Sequence, residues 1–262
     1  MINRNSNLQR WVTGLIPAVV LLGVIIYGPV TLLAVVVIIF IVGGVWEYNG
    51  IVFGRGFVKE KIESVVFAIL IPIVLLTGDG RLLAALFSFM VMVVFMVFIW
   101  RATEAHFDVT SVAKVIFGMI YIPFLTSHFI LLRKIENGIL WIILVLVIAI
   151  VGDTVALYVG KNLGKRKLVP LVSPGKTAEG TIGLIVGATL AGTLFGYFLI
   201  PGVSWVHFLV LGFVGSIIGQ LGDLCESAIK RNYGRKDAGT LLPGHGGLLD
   251  RMDSLIFVAP FV

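Results

Sequence analysis

Val30-Thr-Leu-Leu-Ala-Val-Val-Val-Ile-Ile-Phe-Ile-Val-Gly-Gly-Val-Trp46 contains no charged side chain and a single hydroxyl. A helix of that length, at about 1.5 Å per residue, crosses most of a hydrocarbon core about 30 Å thick. Lipid offers no partners to backbone N–H and C=O groups, so such a run must satisfy them internally as a helix. Working outward, comparable runs occupy roughly 11–27, 64–78, 82–100, 111–132, 138–159, 180–200 and 205–229, which gives eight spans with 30–46. A ninth begins near Ser254 and has only reached Val262, short of the roughly 17–25 residues a span needs. The expected fold class is therefore all-α, a polytopic integral membrane protein with about nine transmembrane helices.

Composition agrees. The chain is 58% hydrophobic and 13% charged, against roughly 25% charged in soluble domains, so the solvent for most of its surface is lipid. The first run, Trp11 to Tyr27, lacks a small-residue cleavage site and leads straight into the next, so no cleaved signal peptide is expected. The single Cys225 excludes an internal disulfide, and its apolar surroundings suggest an inert buried thiol. The net charge of +6 fits a basic cytoplasmic face attracted to anionic lipid. No soluble basic domain exists to bind nucleic acid, and none is expected as a partner.

Alternating the loops from a cytoplasmic N-terminus places 17 of the 20 Lys and Arg residues inside and only Arg81, Arg133 and Lys134 outside. That bias fixes the expected orientation and puts loops 160–179 and 230–253 in the cytoplasm. The expected location is the cytoplasmic (inner) cell membrane. Residues 1–135 read as scaffold. Residues 136–262 carry the acids Asp153, Asp223 and Glu226 within apolar runs and read as the catalytic region. Gly183, Gly187, Gly192 and Gly196 recur four or five apart, a spacing that permits close helix contact.

Four groups of residues point to chemistry. Asp223, Glu226, Ser227 and Lys230 share one face of a helix, a polar stripe on an apolar rod. Asp250, Asp253 and Ser254 repeat the acid-x-x-acid-Ser spacing at the start of the last run. Oxygen donors so placed suit a divalent cation completed by substrate phosphate; internal salt bridges, Asp223 to Lys230 and Asp250 to Arg251, are the alternative. Gly244-His245-Gly246-Gly247 could turn successive N–H groups toward an anion, with His245 as a donor to phosphate or as a turn-fixing residue. The last group is the basic loop with Lys161, Lys165, Arg166 and Lys167, followed by Ser173-Pro174-Gly175-Lys176-Thr177. It is not a P-loop, because Pro170 stands where that motif needs glycine. What remains is a basic segment suited to a triphosphate near a helix start.

The run Ser227 to Asp253 resembles the signature of the phosphatidate cytidylyltransferases, or CDP-diacylglycerol synthases. The shared elements are Ser227-x-x-Lys230-Arg231, Lys236-Asp237, Leu242-Pro243-Gly244-His245-Gly246-Gly247 and Leu249-Asp250-Arg251-x-Asp253. Ser173-Pro-Gly-Lys-Thr177, with Asp153, Gly160 and Lys161 upstream, resembles a second block of that family. The resemblance covers about residues 152–254. It departs from the family at Leu157 and Ala178, where an aromatic is usual.

The resemblance implies transfer of the cytidylyl group of CTP to phosphatidic acid, giving CDP-diacylglycerol and pyrophosphate, with Mg²⁺, with Mn²⁺ as a substitute and with K⁺ as a second cation. The expected catalytic residues are Asp223, Asp250, Lys230, Arg231 and His245. Metal ligands are expected among Asp223, Asp250, Asp253, Glu226 and Ser227. Substrate contacts are expected from Ser173, Lys176, Thr177, Lys161, Asp153, Lys236, Asp237, Gly246, Gly247 and Arg251. A homodimer is an expectation from the helix-rich apolar surface alone. The rival readings are a CTP-dependent enzyme acting on another lipid, such as a polyprenol kinase or an ether-lipid cytidylyltransferase, and a cation-coupled transporter. Against the transporter, the acids lie near helix ends and no inverted repeat is visible.

Overall fold

The computed structural model describes residues 17–54, 56–103, 108–241 and 246–262. Its helices are α1 (Pro17–Tyr27), α2 (Val30–Val52), α3 (Val58–Thr77), α4 (Gly80–Trp100), α5 (Thr110–Met119), α6 (His128–Lys134), α7 (Gly138–Leu163), α8 (Ala178–Leu199), α9 (Trp205–Asn232) and α10 (Asp253–Val258). Among the described residues, six helical segments are long and apolar enough to cross a membrane: α2, α4, the segment Thr110–Lys134, α7, α8 and α9. α3 has the length, but Lys59, Glu60, Lys61 and Glu63 crowd its first turns. α10 is too short to span. The apolar runs of the sequence are thus helical over most of their described length, the last of them only as far as Val258.

The chain forms two compact units, Met1–Leu131 with Asp237–Asp250, and Leu132–Lys236 with Arg251–Val262. In the first, Glu60 and Arg101 form an ion pair whose side chains are only 5% and 3% exposed, and Arg101 also donates to the carbonyl of Gly56 at 2.8 Å. Tyr48 donates its hydroxyl to the Lys114 carbonyl at 2.9 Å, and a Cβ on Gly118 would meet its ring at 2.7 Å. Pro123 has no N–H to give to the preceding turn, and the chain makes a π turn over Ile120–Phe124 between α5 and α6.

In the second unit, α7, α8, α9 and α10 pack as successive antiparallel neighbours. Gly183 faces Val159 and Gly187 faces Val155, where added Cβ atoms would come within 2.8 and 2.7 Å of the valine methyls. Gly212 packs on the backbone of Thr189, Gly219 on Val258 and Ser254, and Gly222 on Phe257. The glycine spacing therefore does what it suggests.

Two features differ from expectation. Cys225 is exposed. Its neighbour Glu226 takes the buried side of α9, and successive helical residues point about 100° apart. The segment before α8 is an antiparallel β-hairpin, β1 (Lys167–Val169) with β2 (Ser173–Thr177), pairing Lys167 with Thr177 and Val169 with Ser173.

Candidate active site

The hairpin is pinned to the N-terminus of α8. Thr177 caps the helix, its Oγ1 accepting from Gly180 N at 3.1 Å, and Ala178 N donates to the Arg166 carbonyl at 2.9 Å. The carboxylate of Glu179 accepts from the backbone N–H of Lys165 at 3.0 Å and of Arg166 at 3.2 Å. Arg231 reaches across from α9 and donates to the carbonyl of Val172 at 3.3 Å and to that of Arg235 at 3.1 Å. The site's basic loop is therefore a braced structure.

Gly160 and Gly180 let α7 and α8 approach beneath Thr177. A Cβ on Gly180 would lie 2.9 Å from Thr177 Oγ1 and 3.0 Å from the Ala156 carbonyl. Above this contact opens a cavity of about 480 Å³, lined by α7, β2, α8 and α9. Asp153, Lys161, Lys176, Thr177 and Asp223 supply its polar wall, and Ala156, Leu157 and Leu184 its apolar one. Lys176 Nζ lies 2.5 Å from Asp223 Oδ2, and Ser227 donates to Asp223 Oδ1 at 3.3 Å. Asp153 and Asp253 lie within electrostatic reach of Asp223, of each other and of the Lys176 ammonium. Two carboxylates, Asp153 and Asp223, thus share the cavity wall with two ammonium groups, Lys161 and Lys176, while Asp253 is not one of the lining residues.

Lysines thus stand against carboxylates where apolar helices end. Residues 8–262 match the model of the cytidylyltransferase family. The chain belongs to that family. It is 34% identical to the phosphatidate cytidylyltransferase of Bacillus subtilis (strain 168) over 97% of this chain and 95% of the relative. It is 36% identical to the phosphatidate cytidylyltransferase of Staphylococcus saprophyticus over 61% of this chain and 58% of that one. It is also 42% identical over 57% of its length to the uncharacterized protein YnbB of Escherichia coli (strain K12), covering 52% of that protein.

Within this cytidylyltransferase, the cavity gathers Asp153, Lys161, Lys176, Thr177 and Asp223. Ser173 begins β2, on the same strand as Lys176. Glu226 is 1% exposed and pairs with Lys230 on its own helix; neither lines the cavity. Asp250 belongs to the first unit. Its Oδ2 accepts from Gly247 N at 2.8 Å and from Ala238 N at 3.0 Å. Gly246 takes a φ of 82°, a left-handed conformation that glycine adopts readily. Lys236, Asp237 and Arg251 are exposed. His245, with Leu242, Pro243 and Gly244, lies outside the described residues.

Two polar lining residues escaped the sequence reading. Thr181, one turn into α8, adds a hydroxyl to the cavity wall. Gln220, one turn before Asp223 on α9, is 8% exposed, and its Nε2 has no hydrogen-bond partner among the described residues. The signal was an amide inside an apolar run next to an acid, since polar groups in such helices are costly.

Proposed function

We propose that this chain transfers the cytidylyl group of CTP to phosphatidic acid, forming CDP-diacylglycerol and pyrophosphate. The observation that carries the reading is the cavity: Lys161, Lys176 and Thr177 face Asp153 and Asp223, in a chain alike end to end to an enzyme named for that reaction. A phosphate oxygen of phosphatidic acid attacks the α-phosphorus of CTP. The new O–P bond forms as the bond to the β-phosphate oxygen breaks, and pyrophosphate leaves in line. Transfer of this kind depends on positioning and charge neutralisation, so no covalent nucleophile on the protein is required.

Lys176 and Lys161 neutralise the triphosphate, and Thr177 and Gln220 orient it. The donor set suits Mg²⁺. It consists of carboxylate oxygens, Asp153 and Asp223 in the cavity wall and Asp253 within electrostatic reach of both. Among the described residues no three such side chains form a ready-made cage, as expected for a cation that takes one or two carboxylates and completes its shell with water and phosphate. Asp223 and Asp253 would hold it. The cation would withdraw charge from the phosphate oxygens. Mn²⁺ would serve in the same place. In this reading Lys176 exchanges Asp223 for phosphate when substrate arrives. Asp250 holds Ala238 and Gly247 together, Arg231 braces the hairpin, and Lys230 balances Glu226.

The positive-inside bias supports a cytoplasmic site on an inner-membrane protein, where CTP is available. The test is direct. Purified protein in detergent receives labelled CTP and Mg²⁺ with phosphatidic acid, a polyprenol or an ether lipid phosphate. Labelled CDP-diacylglycerol from phosphatidic acid, abolished by EDTA, is the expected result. Label transferred only to another acceptor would overturn the choice of lipid.

A further inference from the structure

From the first unit we infer that Glu47, a buried acid of α2, is a positioning residue for the signature segment 238–250. Glu47 is the one charged residue of α2, and a carboxylate at a position only 4% exposed is costly there unless it is used. Its Oε2 accepts a hydrogen bond from Leu249 N at 2.9 Å, a contact that bridges 202 positions of sequence. The adjoining backbone is shaped around it. A Cβ on Gly247 would lie 2.7 Å from Glu47 Oε2, 2.7 Å from Gly239 N and 2.8 Å from Asp250 Oδ2. A Cβ on Gly239 would run into the Glu47 carboxylate itself.

The two acids divide the work. Asp250 ties one arm of the segment to the other through Ala238 N and Gly247 N. Glu47 ties this backbone to the membrane helix through Leu249 N, directly before Asp250. Ala238 and Leu249, the apolar residues beside these ties, are each 1% exposed, so the anchored backbone is also packed. Glycine at 239 and 247 is required because the carboxylate occupies the space a side chain would take. The N-terminal helices thus do more than support the catalytic half: one of them sets the position of the family signature. This inference rests on the reading that the signature segment serves cytidylyl transfer.

The test compares Glu47→Ala and Glu47→Gln with the parent. Gln keeps a carbonyl oxygen able to accept from Leu249 N. Hydrogen exchange of the peptide covering Leu249 reads the contact without reference to activity. The inference expects faster exchange there in Glu47→Ala and parental exchange in Glu47→Gln. It also expects kcat to fall by about 10- to 100-fold in the Ala variant, the cost of a small misplacement, and to recover in the Gln variant. Should Glu47→Ala not fold, Gly247→Ala is expected to give the same fall in kcat by displacing the segment from Glu47. Parental exchange and kcat in Glu47→Ala would overturn the inference, as would a Gln variant no better than Ala. If the parent itself makes no CDP-diacylglycerol, the functional reading fails, while the exchange experiment still decides whether Glu47 anchors the segment.

Discussion

Gln220 shows how a single side chain bears on the reaction. Its buried Nε2 donor lies one helical turn from Asp223, at the wall of the cavity that also holds Lys161 and Lys176. A hydrogen bond to a charged group contributes about 1.5–3 kcal/mol. Gln220→Leu should therefore raise the KM for CTP or phosphatidic acid about tenfold or more by that amount, while Gln220→Asn changes it less; steady-state kinetics with each substrate varied in turn checks this. Lys176 and Asp223 were legible as candidates from their residue types and neighbours. Their pairing was not, because 47 residues and the α8–α9 packing separate them. Cys225 was misread for a related reason: local hydropathy does not say which face of a helix is covered.

Between elements, the contact of α7 with α8 relies on glycine against β-branched valine. Gly187→Leu would force its side chain into Val155 and should destabilise the protein by about 1–3 kcal/mol, seen as a lower unfolding midpoint in detergent. An unchanged midpoint would mean the helices have room to part. In the other unit, Arg101→Ala strands the buried Glu60 carboxylate and should cost about 3–5 kcal/mol, measured the same way. The glycine period could be read from the chain, since small residues at helical spacing have one main use in a membrane. The partner valines could not, because register between helices is a tertiary property. The hairpin was equally hidden. β1 has three residues, too few for a periodic signal, and the turn leading into it is held by Glu179, whose contacts lie 13 and 14 residues away.

For the whole molecule, apolar run length carried the most information, because lipid constrains the backbone more tightly than water does. That is why the described runs are helical over most of their length, and why the charged first turns of α3 mark the place where run length alone was a poor guide. The orientation can be tested in a Cys225→Ser background. Leu171→Cys, at the exposed hairpin turn, should react with a membrane-impermeant maleimide only after cells are opened. Glu136→Cys, between α6 and α7, should react in intact cells. The reverse pattern would invert the topology. The central claim is that cytidylyl transfer takes place in the cavity where Lys176 meets Asp223. The most direct measurement is turnover of CTP and phosphatidic acid by Asp223→Asn, purified and shown to be folded by its unfolding midpoint. A loss of about 10²–10³-fold or more, of the size seen when a charge-stabilising group is removed, is predicted. Turnover close to that of the parent would contradict the account.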